Sequence, residues 1–260
     1  MKKYITIWSM LLAAILSQSA LAAGYALFDA TTDTISVNGN SVIGTAMTIE
    51  ARININVNTN PYGDIYGEWS DGREDKNLMM KSNQTIYGYL YHPGGLTPLL
   101  SSATVSLNTW HHIAYVYDGS EERLYLDGTK VGSRAASGDV LDYSYSVAAV
   151  GAIQKGSFFQ PSFQGELDIL RFSTIARYTG DSFTAPTGDL TSDAYTNLLY
   201  NFNEPPGSTV VYDLSGNGRN GYFGTGFYSA TSPTLVPEPA TMLLLGLGGL
   251  GLLGRKRSKA

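Results

Sequence analysis

The sequence contains no cysteine. That excludes disulfides, thiolate zinc sites and cysteine nucleophiles. Histidine is scarce, with three residues in the chain. Little material is left for a Ser-His-Asp triad, and no Gly-x-Ser-x-Gly or His-Glu-x-x-His occurs. Positive charge is scarce where it matters. Six of the 17 basic residues lie at the ends: Lys2, Lys3, Arg255, Lys256, Arg257 and Lys259. Only Glu238 of the 22 acidic residues lies outside 23–236. That span therefore has 11 basic and 21 acidic residues, a net charge of −10. No basic surface exists to follow a phosphate backbone, so nucleic acid is excluded as a partner. Long stretches of 3.6-residue periodicity are also missing. The one helical candidate between the ends is a short turn near 174–183.

What is there is strand after strand. "MTIEARINI" (47–55) alternates Met47, Ile49, Ala51, Ile53 and Ile55 against Thr48, Glu50, Arg52 and Asn54. That is period two, one face in and one face out. "TIYGYLY" (85–91), "HHIAYVYDG" (111–119), "ERLYLDGTKV" (122–131), "YSVAAVGAI" (145–153), "GELDILRFS" (165–173), "NLLYNF" (197–202) and "TVVYDL" (209–214) read similarly. Turn residues separate them, among them Asn38-Gly39, Asp71-Gly72, Asp118-Gly119, Asp127-Gly128 and Ser215-Gly216-Asn217-Gly218. Short strands with no intervening helix predict an all-β antiparallel sandwich or jelly roll. The 18 tyrosines suit strands and saccharide-stacking surfaces alike.

The ends read differently. "MKKYITIWSMLLAAILSQSALAAG" has two lysines, an apolar run and Ala20-Leu21-Ala22. This is a secretory signal, residues 1–22, for cleavage by signal peptidase after Ala22. Residues 224–235 are rich in Gly, Ser, Thr and Pro, and read as a linker. The apolar run 240–254 is 15 residues long and holds five glycines. As a helix it spans roughly 22 Å, short of a ~30 Å hydrocarbon core. The basic end that follows it marks the cytoplasmic side.

Several stretches, in this order, resemble the laminin-G-like domains of the concanavalin A-like lectin/glucanase superfamily. They are "ALFDATTDTISV" (26–37), "AMTIEARINI" (46–55), "NTWHHIAYVYDGSEERLYLDGTKVG" (108–132), "FQGELDILRFSTIARYTGDSF" (163–183) and "LLYNFNEPPGSTVVYDLSGNGRNGYF" (198–223). The resemblance implies one jelly-roll domain over 23–223. It also implies a binding role, toward glycans or proteins, sometimes with calcium. Asp29, Asp33 and Asp168 match acidic positions of the family and are candidate Ca²⁺ ligands; the alternative is that they hold turns. Tyr87, Tyr89 and Tyr91 share one strand face and are candidates to stack on sugar rings, or else form core. Tyr66 and Trp69 are candidates at a loop edge. His111 and His112 point to opposite faces of one strand, so they are expected to be structural.

The strand "GELDILR" (165–171) also resembles the Glu-x-Asp-x-x-Glu strand of laminarinase-type glycosidases. Glu166 and Asp168 match, but Leu170 or Arg171 stands where the third carboxylate belongs. A retaining mechanism needs two carboxyl groups in distinct roles, and arginine does not deliver a proton at neutral pH. No enzyme is therefore expected. "GNGRNG" (216–221) opens no helix and is not expected to cradle phosphate.

Val236, Pro237, Glu238 and Pro239, the apolar run and the Arg255-Lys256-Arg257 end resemble the PEP-CTERM sorting signal. This tail, 236–260, implies transient insertion in the inner membrane of a Gram-negative bacterium that makes exopolysaccharide. It also implies recognition by an exosortase, cleavage near Pro-Glu-Pro, and release to the cell surface or matrix. The expected function is non-catalytic glycan binding. The alternative is a structural or adhesive protein that binds other surface proteins.

Overall fold

The computed structural model describes residues 24–39, 44–57, 60–70, 73–91, 98–140, 147–155, 158–226 and 230–237. The signal segment 1–22, Glu238, Pro239, the apolar run and Arg255-Lys256-Arg257 lie outside them. Among the described residues there is no helix. The strands are β1 Gly24–Phe28, β2 Thr34–Val37, β3 Met47–Ile55, β4 Gly63–Ser70, β5 Arg73–Met80, β6 Thr85–Leu90, β7 Leu99–Thr104, β8 Trp110–Tyr117 and β9 Glu121–Leu126. They continue as β10 Thr129–Ala135, β11 Val147–Gly151, β12 Ile153–Lys155, β13 Phe158–Gln160, β14 Gly165–Ser173, β15 Thr196–Tyr200, β16 Val210–Val211, β17 Gly221–Phe223 and β18 Thr234–Pro237.

Two antiparallel sheets face each other. The first runs β10-β9-β8-β3-β14-β1-β18, and β15 also pairs with β14. The second runs β16-β17-β2-β11-β4-β5-β6-β7. The short hairpin β12-β13 stands apart as a third ladder.

Period-two patterning places the core between the sheets. Met47, Ile49, Ala51, Ile53 and Ile55 of β3 join Ile113, Tyr115 and Tyr117 of β8 and Leu167, Leu170 and Phe172 of β14. The second sheet answers with Tyr66 of β4, Leu78 and Met80 of β5, and Ile86 and Leu90 of β6. The Tyr66 and Phe172 rings meet across the interface at 5.9 Å. Each fully buried apolar side chain contributes about 1.5–3 kcal/mol through its removal from water.

The outer face of the first sheet is covered too. Ala114, Val116 and Tyr125 are buried beneath Ala176, Tyr178 and Phe183. This covering segment is the stretch expected as a helical turn. It is instead an irregular run of bends, because Arg177 is tied down to Thr48, Ser173 and Asp193. The linker expected over 224–235 is also different. Thr234 and Leu235 belong to β18, which pairs with β1 and buries Leu235.

Candidate functional site

The β12-β13 hairpin sits against the outer face of the second sheet. Trp69 packs there with Ala149 and Ile153. Beside this cluster an apolar groove of about 300 Å³ opens, lined by Pro61, Tyr62, Met79, Tyr87, Phe159, Gln160 and Pro161. Strand alternation explains its floor. On β6, Ile86 and Leu90 point into the core, so Tyr87 and Tyr89 point out. Their rings are near-parallel, 6.5 Å apart. Tyr62, from the β3-β4 connection, stands edge-on to Tyr87 at 5.4 Å. Lys81 places its ammonium 5.3 Å from the Tyr62 ring centre. Tyr62 and Phe159 are 42% and 41% exposed, so the groove offers open ring surface.

The expected ligand residues divide accordingly. Tyr87 lines the groove. Tyr89 lies beside Tyr87 on the same strand face, outside the lining, and is only 9% exposed. Tyr91 is half-buried just beyond β6. Tyr66 is not at a loop edge; it is fully buried in the inner face of β4. Its hydroxyl donates to Glu68, which is held by Lys76 at 2.8 Å. Burial pushes the Tyr66 phenol well above its ordinary pKa, and the Glu68 charge adds to this. Trp69 is likewise buried, under the hairpin. Tyr62 and Phe159 escaped sequence reasoning because neither lies in an alternating run. Only the tertiary fold brings Tyr62, from the β3-β4 connection, and Phe159, from the β12-β13 hairpin, to Tyr87.

The candidate calcium ligands are separated. Asp33 is buried; one carboxylate oxygen accepts the backbone N–H groups of Asp29 and Ala30, and the other accepts the Thr231 hydroxyl. That makes it a turn anchor. Asp168 sits at a register shift in β14 and pairs with Arg52. Phe28 lies opposite Gly165, so Asp168 is four residues, roughly 13 Å, along the sheet from the level of Asp29. Among the described residues no group of three or more His, Asp or Glu side chains is placed to hold a metal ion.

The "GELDILR" carboxylates are occupied as well. Glu166 accepts from Asn54 at 2.8 Å, and Asp168 is bound to Arg52, whose guanidinium lies 4.7 Å above Trp110. Arg171 donates to Glu50 at 2.6 and 2.7 Å. The other oxygen of Glu50 meets His112 Nε2 at 2.9 Å and accepts the Tyr178 hydroxyl at 2.7 Å. Burial alone raises the Glu50 pKa, but His112, Arg171 and Tyr178 more than offset it, and the net shift is downward. This face is a structural network, sealed by the 174–183 segment. The "GNGRNG" loop is structural too. Asp213 accepts from the backbone of Leu199, Ser215 and Arg219, and Arg219 reaches inward toward Tyr66 and Glu68.

A family profile for the concanavalin A-like lectin/glucanases superfamily matches residues 29–181. The chain belongs to this superfamily. A PEP-CTERM protein-sorting motif matches 235–258. No curated protein matches. Among solved structures, this superfamily member resembles a Bacteroides ovatus protein described as carbohydrate binding. The TM-score is 0.60 at 16% identity, over 82% of this chain and 61% of the other. The present chain thus spans less than two thirds of that relative. It also matches a heptameric SAP-like pentraxin of Limulus polyphemus, with TM-score 0.48 and 16% identity over 60% of this chain and 78% of the other. For mouse laminin alpha1 chain domains LG4-5 the TM-score is 0.48 at 16% identity, over 65% of this chain and 48% of the other.

Proposed function

We propose that the protein is exported and binds a glycan in the groove between Tyr62, Tyr87 and Phe159, without cleaving glycosidic bonds. The carrying observation is the open aromatic surface on the outer face of the second sheet. Pyranose rings present apolar C–H faces that stack on such rings. No lining residue is charged, and the Lys81 ammonium beside the groove is held over the Tyr62 ring. An uncharged polysaccharide suits it better than an acidic one, and the net negative charge of 23–236 points the same way. The carbohydrate-binding description of the Bacteroides ovatus relative supports the reading. Engagement of Glu166 and Asp168 by Asn54 and Arg52 argues against glycosidase chemistry.

Export begins with the signal segment 1–22, cut by signal peptidase. The tail 236–260 then inserts as a short helix in the inner membrane until an exosortase cuts near Pro237-Glu238-Pro239 and releases a jelly-roll domain to the surface or matrix. The sorting-motif match supports this route. A glycan array probed with the mature protein tests the binding reading. Retention of neutral polysaccharides, lost in Tyr62→Ala, is expected. A silent array from folded protein overturns it and favours a structural role toward other surface proteins.

A further inference from the structure

We infer that Ser106, His111 and Asp127 form an acyl-accepting site, in which a histidine oriented by an aspartate activates the serine hydroxyl. Ser106 Oγ lies 2.6 Å from His111 Nε2, and His111 Nδ1 lies 2.6 Å from Asp127 Oδ2. An ionised carboxylate only accepts, so the proton between His111 and Asp127 belongs to Nδ1. In the neutral ring that leaves Nε2 as the acceptor for the Ser106 O–H. This is the order of nucleophile, base and orienting acid on which serine acyl transfer depends.

The arrangement is braced. Asp127 adopts a left-handed backbone, φ 49°, in the β9-β10 turn. Its other carboxylate oxygen accepts the backbone N–H of His112 at 2.9 Å, and its own N–H donates to the His112 carbonyl at 2.8 Å. It is also reachable. Ser106 is exposed, and the side chains of His111 and Asp127 are 12% and 50% exposed. His112 makes the contrast, since it is buried against Glu50 on the opposite face. Asp127 is separated from Ser106 and His111 in the sequence by the β8-β9 hairpin, which folds it back beside His111.

The segment that carries Ser106 is held on both sides: Val105 N–H bonds the Gln84 carbonyl, and Leu107 bridges Ile55 at the end of β3. The substrate class is a carboxylic ester, such as an O-acyl group on a sugar hydroxyl. Ser106 Oγ bonds to the carbonyl carbon while its proton passes to Nε2. The ester C–O bond breaks, and the departing alcohol oxygen takes that proton. Water then adds to the acyl carbon, giving its proton to Nε2, and Ser106 Oγ leaves with it. Nothing is oxidised or reduced.

Only the sugar part of this inference rests on the glycan reading; the serine's reactivity does not. The test is labelling of the full-length protein by a fluorophosphonate probe, which forms an Oγ–P bond and expels fluoride. Modification at Ser106, absent in Ser106→Ala, is expected. In Asp127→Asn the labelling rate falls about 100-fold, within the range of lost general-base assistance. Asparagine tolerates the left-handed turn and keeps an acceptor for the His112 N–H, so this variant folds. Nitrogen NMR shifts report the tautomer directly: Nδ1–H on His111 in the wild type, lost in Asp127→Asn. Folded wild type without label at Ser106, or equal labelling rates in the two forms, overturns the inference. A labelled serine with a silent glycan array removes the glycan reading and leaves the site; a positive array with no label does the reverse.

Discussion

Gly24 lies directly opposite Pro237 at the edge of the first sheet. The first described strand, β1, and the last, β18, which runs into the sorting motif, are therefore antiparallel neighbours. Proline fits there because β18 is an edge strand and needs no donor on its outer side. Pro237, the first residue of the Pro-Glu-Pro motif, is thus part of the folded sheet, and the two ends of the described domain lie side by side.

β18 is expected to be structural, not spacer. A chain ended at residue 223 loses the buried Leu235 and exposes the edge of β1. It should be at least about 2 kcal/mol less stable than one ended at 237. Thermal or urea unfolding of the two checks this. Equal stabilities would mean that β18 contributes nothing.

Binding in the groove should depend on exposed rings and not on buried ones. Tyr62→Ala is expected to weaken glycan affinity by about 1 kcal/mol or more while changing stability by under about 0.5 kcal/mol. Trp69→Ala should lower the unfolding midpoint instead. Titration calorimetry alongside melting curves separates the two effects.

The Glu50 network should make the protein acid-sensitive. The folded pKa of Glu50 is lower than its unfolded value. Its contribution is complete above the ordinary glutamate pKa of about 4.3 and is lost as pH falls through the lower folded value. Asp118 and Asp193 are shifted downward too, net of burial, by bonds from Ser120 and Arg123 and from Arg177. Stability should thus fall below about pH 4. Glu50→Gln leaves Arg171 buried without its counter-charge and should cost about 3–5 kcal/mol at pH 7, with a shallower acid limb. Denaturant unfolding across pH 2–7 measures both.

Gly88 is one place where the two sheets approach closely. A Cβ there would fall 2.6 Å from the Tyr115 ring, which is itself fully buried. Gly88→Ala should destabilise by about 1–3 kcal/mol through overpacking, whereas the same change at Gly188, which has open space around it, should be near neutral. Midpoint shifts of the two variants decide it.

Strands β3 and β14 were legible to the residue, because alternation and turn residues bound them on both sides. The β4-β5 hairpin was not, because Glu68 and Lys76 occupy inward positions that the pattern assigns to apolar side chains. Their ion pair forms only when the strands pair. β18 was hidden for another reason: four residues in a Ser-, Thr- and Pro-rich stretch carry no period, and only the free edge of β1 selects them.

The sequence by itself determined the all-β class, the superfamily, the sorting tail and the absence of thiol chemistry, since these follow from composition, local periodicity and contiguous motifs. Only the tertiary structure decided which tyrosines are open and which are core, that Asp29 and Asp168 do not meet, and that Ser106, His111 and Asp127 do. Alternation states that a side chain leaves a strand on one face or the other. Whether that face meets solvent, a covering loop or a residue from a distant strand is fixed by long-range packing, which no local pattern encodes.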